Sequence, residues 1–236
     1  MVSRYFVVAL TLGACAQADS LKANPDASPN GRPDAPQGSP DAPAHNPDID
    51  APQGLTGTHL VINEIDYDQV GTDTAEFVEI FNPTPASIDL TGITLELVNG
   101  ANGTVYATVD LSSEPALASG GYLVVADSAV NVDSGATAMM SWTTNAIQNG
   151  APDGVALVDT VNAAMVDALS YEGAMTSVAI SGMGTVSLVE GTPTTAADSN
   201  TVNGSLCRSP NGQDTDDAAT DWKFCTTPTP GAVNAL

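Results

Sequence analysis

The 236 residues carry 28 aspartates and glutamates against five lysines and arginines, a formal net charge of −23. Arg4, Lys22 and Arg32 precede residue 55, so Arg208 and Lys223 are the fixed positive charges of everything that follows. Proteins bind phosphate backbones by neutralising them with Lys and Arg, so nucleic acid is ruled against as a partner, while basic surfaces and divalent cations are favoured. The first element in the chain is an export signal: the basic Arg4, the apolar stretch Tyr5–Leu12, then small residues ending in Cys15. An apolar run of roughly ten residues is too short to span a bilayer as a helix, which takes about 20.

Leu12-Gly13-Ala14-Cys15 resembles the lipobox of bacterial lipoproteins. The resemblance implies that residues 1–14 are a lipoprotein signal peptide, that the chain is cut before Cys15, and that Cys15 is acylated. Its acyl chains would hold the protein to a membrane at about 0.8 kcal/mol per buried methylene. Ala16 is not an acidic retention signal by analogy with Gram-negative sorting, so the outer membrane or cell surface is the expected address. With Cys15 given to lipid, Cys207 and Cys225 remain as a pair for an oxidising compartment. A bridge between them closes a loop of roughly 18 residues and contributes about 3 kcal/mol on the chain-entropy estimate. No CxxC spacing or basic neighbour marks either as a redox thiol.

Residues 15–57 read as a disordered tether. Pro25-Asp26-Ala27, Pro33-Asp34-Ala35 and Pro40-Asp41-Ala42 recur, followed by Pro47-Asp48 and Asp50-Ala51-Pro52. Repeated prolines remove backbone donors, and little apolar surface is present to offset chain entropy. Extended at about 3.1 Å per residue, such a segment would reach on the order of 100 Å.

From residue 58 to 236 the pattern is that of an all-β domain. Strands are expected at Leu60–Ile65, Glu76–Phe81, Ile93–Val98, Thr104–Val109, Tyr122–Ala126, Val155–Val158, Met165–Leu169 and Thr185–Val189. Ile93, Leu95 and Leu97 alternate with Thr94 and Glu96, which predicts one wet face; Val105, Ala107 and Val109 alternate likewise with Tyr106 and Thr108. Leu123–Ala126 is apolar on both faces and suits a central strand. Asn99-Gly100 and Asn102-Gly103 supply the turn between two strands. Trp222 and Phe224 flank Lys223 and are expected to point to one side of a strand, closing an end of the interior. No segment has a capped helical stripe. Short strands with turn signals at this spacing predict a β-sandwich.

The ordered pieces then resemble the lamin tail domain family. They are Val61-Ile62-Asn63-Glu64-Ile65, Glu76 through Pro83, Asp89 through Leu95, Gly121 through Val125, Asp153 through Asp159, Val166 through Tyr171, Gly212 through Asp217, and Thr229-Pro230-Gly231. The resemblance spans roughly Leu60 to Asn234 and implies an immunoglobulin-like β-sandwich. It implies a fold more than an activity, since bacterial members look like accessory modules of exported proteins.

Catalysis finds no support in the residues. His45 lies in the tether and His59 at the start of the first strand, too few for a zinc cluster, and nothing resembles a nucleophile elbow or a Cys–His pair. The chain is therefore read as no enzyme and as needing no cofactor. Asp214, Asp216, Asp217 and Asp221 crowd together beside the expected disulfide and suit calcium, a cation of six to eight oxygen ligands. Glu64, Glu76 and Glu79 form a second acidic group on neighbouring strands. The competing reading is that these aspartates cap turns. The expected function is a lipid-anchored surface protein that displays a non-catalytic domain for protein or glycan recognition or envelope structure. A calcium-dependent adhesion module and a secreted hydrolase, or the accessory module of one, are the alternatives.

Overall fold

The computed structural model of the protein describes Leu55 and residues 57–236. The expected signal peptide, Cys15 and the tether up to residue 54 lie outside the described residues. Among the described residues, branched and aromatic side chains at alternate positions build twelve strands, with one short helix. In chain order these are β1 Val61–Asp66, β2 Phe77–Phe81, β3 Ile93–Asn99, β4 Thr104–Asp110, β5 Tyr122–Asp127 and β6 Thr137–Trp142. There follow β7 Asp153–Asp159, β8 Ala164–Tyr171, β9 Val178–Ile180, β10 Gly184–Val186, β11 Ser205–Arg208, helix α1 Ala218–Asp221 and β12 Trp222–Cys225.

They form two six-stranded sheets, ordered β12-β11-β1-β2-β5-β6 and β10-β9-β4-β3-β7-β8. Pairing is antiparallel except for β5 with β6 and β4 with β9. The expected immunoglobulin-like sandwich is therefore present. Ile62, Ile65, Val78, Ile80, Leu123 and Val125 of the first sheet meet Leu95, Leu97, Val155, Leu157 and Leu169 of the second in one buried cluster. Each such side chain contributes about 1.5–3 kcal/mol by leaving water. Tyr67 and Tyr171, stacked with centroids 4.3 Å apart, fill the interior where β1 and β8 end. Leu123–Ala126 lies on β5, an interior strand with both faces covered.

Several expectations needed correcting. Thr94 and Glu96 are not on a wet face: each is only 8% exposed. Glu96 is held by hydroxyl hydrogens of Thr94 at 2.9 Å and Thr108 at 2.6 Å, which supply what water would have supplied. The simple alternation of β4 also fails. Leu97 pairs with Ala107 but Val98 with Val105, so Tyr106 is an extra residue in the ladder. This bulge turns Tyr106 toward the inter-sheet core beside Ala107, while Val105 joins a separate cluster with Val98 and Met175. The strand expected over Thr185–Val189 shortens to β10, and β6, β9 and β11 lacked a sequence signal. Trp222 enters the inter-sheet core and Phe224 is half-buried, with Lys223 exposed between them.

Candidate functional site

Three features meet around β1: a buried arginine, a pair of buried glutamates under the C-terminal segment, and a groove. The arginine organises the loop that forms one wall of the groove. Alternation on β11 puts Leu206 in the core and Arg208 on the same side, fully buried. Its guanidinium bonds both oxygens of Asp167 on β8 at 2.8 and 3.0 Å, tying the first sheet to the second. Nε donates to the carbonyl of Ile62 at 2.8 Å, and Nη1 reaches Asp221 at 3.2 Å and Asp214 at 3.3 Å. The Trp222 ring lies 5.1 Å from the guanidinium carbon, in cation–π range. Glu190 stands 3.5 Å away. Burial raises the Asp167 carboxyl, the Arg208 charge opposing it, and lifts Glu190 to about 9, with the Asp167 charge adding to the rise.

The four aspartates next to the cysteines go to different places. Asp214 and Asp221 turn in to Arg208, and Asp221 also accepts from the Thr215 amide at 2.7 Å and from Gln213 Nε2 at 3.0 Å. Asp217 is the N-cap of α1, accepting from the Thr220 amide at 3.1 Å. Asp216 is exposed. Among the described residues no three His, Cys, Asp or Glu side chains gather as a metal-holding group. Cys207 and Cys225 are joined in a disulfide that links β11 to β12, with Cα atoms 6.0 Å apart.

The second feature begins with a bulge. Ile62 pairs with Ile80 but Glu64 with Glu79, leaving Asn63 as the extra residue of β1. Ile62 and Ile65 both reach the core, so Asn63 and Glu64 face outward together. Glu64 and Glu79 stand opposite each other with no exposed surface and, among the described residues, no cation as a partner. The segment after β12 closes over them. Thr229 donates its amide to Glu64 at 3.0 Å and its hydroxyl at 2.9 Å, and Gly231 donates its amide to Glu79 at 2.6 Å. Asn63 Nδ2 and Ser205 Oγ add bonds of 2.7 and 2.5 Å. Asn234 locks the return of the segment to the carbonyls of Asn63 and Arg208 at 3.1 and 2.9 Å. Desolvation raises both carboxyls, Glu79 to about 8. Glu76, grouped with them in the sequence reading, turns elsewhere: its oxygens accept from the amides of Ala146 and Ile147.

The groove opens beside these groups and encloses about 950 Å³. Val61, Phe81, Pro83 and Tyr122 line it, with His59 and Asp214 on its rim. Phe81 and Tyr122 rest on each other at 4.7 Å between centroids, Phe81 buried and Tyr122 half-buried. Gly212, at φ +68°, lies over Phe81, and a Cβ there would fall 2.5 Å from the ring; only glycine lets the loop approach. Asn211 Nδ2 donates to Tyr122 Oη at 3.1 Å, and burial pushes that phenol up to about 12, so it stays neutral. His59 Nε2 stands 3.4 Å from Asp214. The arrangement offers an aromatic floor beside carboxylates, which suits binding; His59, the one histidine among the described residues, contacts Asp214 and the Leu60 carbonyl and no nucleophile.

An all-β, two-sheet sandwich with a bulged first hairpin defines an immunoglobulin-like domain. Residues 55–173 match the Lamin Tail Domain, and the chain belongs to that family. The match ends before β9, so the groove wall at 210–214, the disulfide and the C-terminal segment lie beyond it. A comparison with curated proteins gave no match. Sequence reasoning missed Arg208 as an organising residue. The signal was available only once Ser205–Arg208 is read as a strand, since period two then sets Arg208 beside Leu206.

Proposed function

We propose that the protein is an exported lipoprotein, acylated at Cys15, in which residues 15–57 form a spacer and the lamin tail sandwich is displayed at the outer membrane or cell surface. Its role is recognition of another protein or a glycan, without catalysis. The observation that carries this reading is the aromatic-floored groove, which lies where residues 57–59 lead into β1. Supporting it, Asp167, Asp221 and Glu64 are each spent on Arg208 or on hydrogen bonds that hold the fold. The lipobox-like junction at Cys15 supports the anchor. Replacing Cys15 with alanine and fractionating cells tests it: loss of palmitate labelling and of membrane attachment is expected, and an equally attached variant refutes the anchor. Calcium-dependent adhesion is the rival reading, and it requires Asp214 and Asp221 to leave Arg208. Melting with calcium and with EDTA decides it, a chelator-sensitive Tm being the result that favours calcium.

A further inference from the structure

We propose that the groove between Tyr122 and Asp214 is the docking site for an extended, lysine- or arginine-bearing segment of a partner protein. The inference rests on the recognition reading above and names the partner's chemistry. Three independent observations carry it.

The first is charge. Of the two fixed cations after residue 55, Arg208 is fully buried and committed to Asp167, Asp214 and Asp221. Lys223 donates to the Ala219 carbonyl at 3.2 Å and does not line the groove. Asp214 lines the groove itself while sharing Arg208 with Asp167 and Asp221, so carboxylates outnumber the one guanidinium there, and a concave low-dielectric wall concentrates that field. An acidic or neutral ligand gains nothing from it; a cationic side chain does.

The second is the floor. Tyr122 lies half-exposed over Phe81 at 4.7 Å, and the negative face of an aromatic ring attracts ammonium and guanidinium groups. Exposed Pro210 and Val233 also line the groove and give apolar contact for the methylene stem of Lys or Arg. The third is size. About 950 Å³ exceeds one side chain and takes several residues of an extended peptide. A second copy of this chain is a poor occupant, since each copy carries −23. The chain's own proline-rich segment is acidic, with Asp beside Pro in every repeat, and would be repelled.

The test uses the full chain and an end-blocked tetralysine peptide, followed by hydrogen exchange and by calorimetry at low salt. The expected result is slowed exchange at residues 57–59 and 210–214, with binding that weakens steeply as salt is raised. Val233 lines the groove and is 66% exposed, so Val233→Arg places a rival cation there without disturbing the core, and should weaken binding about tenfold. Val233→Glu puts the opposite charge at the same place and should strengthen binding. Asp110→Asn alters an exposed acid on the second sheet and should also leave binding unchanged. If Asp110→Asn and Val233→Arg weaken binding equally, the attraction is diffuse and the site is overturned. If a neutral tetrasaccharide protects residues 57–59 and 210–214 and tetralysine does not, the groove is a glycan site, which overturns the basic-segment inference and keeps the recognition reading. If neither protects them, both fail.

Discussion

Two of the buried sets of carboxylates in this domain are settled by opposite means. Around Arg208 a guanidinium supplies the counter-charge, and Asp167 and Asp221 are held as its partners. Under the C-terminal segment Glu64 and Glu79 have no cation among the described residues, and burial pushes them toward the protonated state. The first arrangement fastens one sheet to the other; the second fastens a late segment to the outer face of the first sheet. In a chain with so few basic residues, protons must do part of the work that cations do elsewhere.

The comparison breaks most sharply at Arg208. Arg208→Leu leaves Asp167 and Asp221 buried without a counter-charge, and removing one partner of a buried pair costs about 3–5 kcal/mol. Denaturant unfolding should show that loss, or no folded protein at all. Next is the disulfide: Cys207→Ser with Cys225→Ser should cost about 3 kcal/mol, near 10 °C in Tm by calorimetry.

The pH response separates the two sets. Glu79 ionises near 8 in the folded protein against an ordinary 4.5, so the folded state keeps a proton that the unfolded chain gives up. That contribution is full below about 4.5 and is lost as pH rises through 8. Burial acts first on Asp66, which rises to about 8, on Glu76, to about 7, and on Glu190, to about 9, and all carry the same sign. The Tm should therefore fall by roughly 10 °C between pH 5 and pH 9, and Glu79→Gln should flatten part of the slope. A Tm that rises over this interval would show that Glu79 and its like are ionised in the fold. The smallest effect is expected at Gly231, where φ is +92° and a Cβ would lie 2.7 Å from Ala136. Gly231→Ala should cost about 1–2 kcal/mol and speed amide exchange at Thr229 and Gly231 while leaving the β3–β7 amides protected.

The sandwich was legible where strands were long and branched. β1 to β5, β7 and β8 end within one or two residues of their expected ranges, because Val, Ile and Leu recur there with period two. β6, with Met139 and Met140 in a half-exposed edge, and the three- and four-residue strands β9 and β11 carry too few such residues to show a period. The bulges at Asn63 and Tyr106 were illegible for another reason: one inserted residue reverses the faces, and only a partner strand reveals the insertion. The disulfide was readable from cysteine arithmetic. The dispersal of the four aspartates was not, since Asp214 and Asp221 answer to an arginine that sits before them on β11. The resemblance pieces gain a physical meaning here. Asn63 and Glu64, Glu79, Gly212, and Thr229 with Gly231 come from four distant stretches and bond to one another directly.

The fastening of Glu64 and Glu79 by Thr229 and Gly231 sets an order of events during synthesis. A polypeptide that emerges from its amino end presents both glutamates some 150 residues before Thr229 and Gly231 arrive, the separations being 165 and 152. Until then the two side chains belong in water, where each is ionised and they repel across the hairpin. The outer surface of the first sheet can close only when the last stretch has been released, so premature termination near residue 228 would strand two charges where the finished molecule has none exposed.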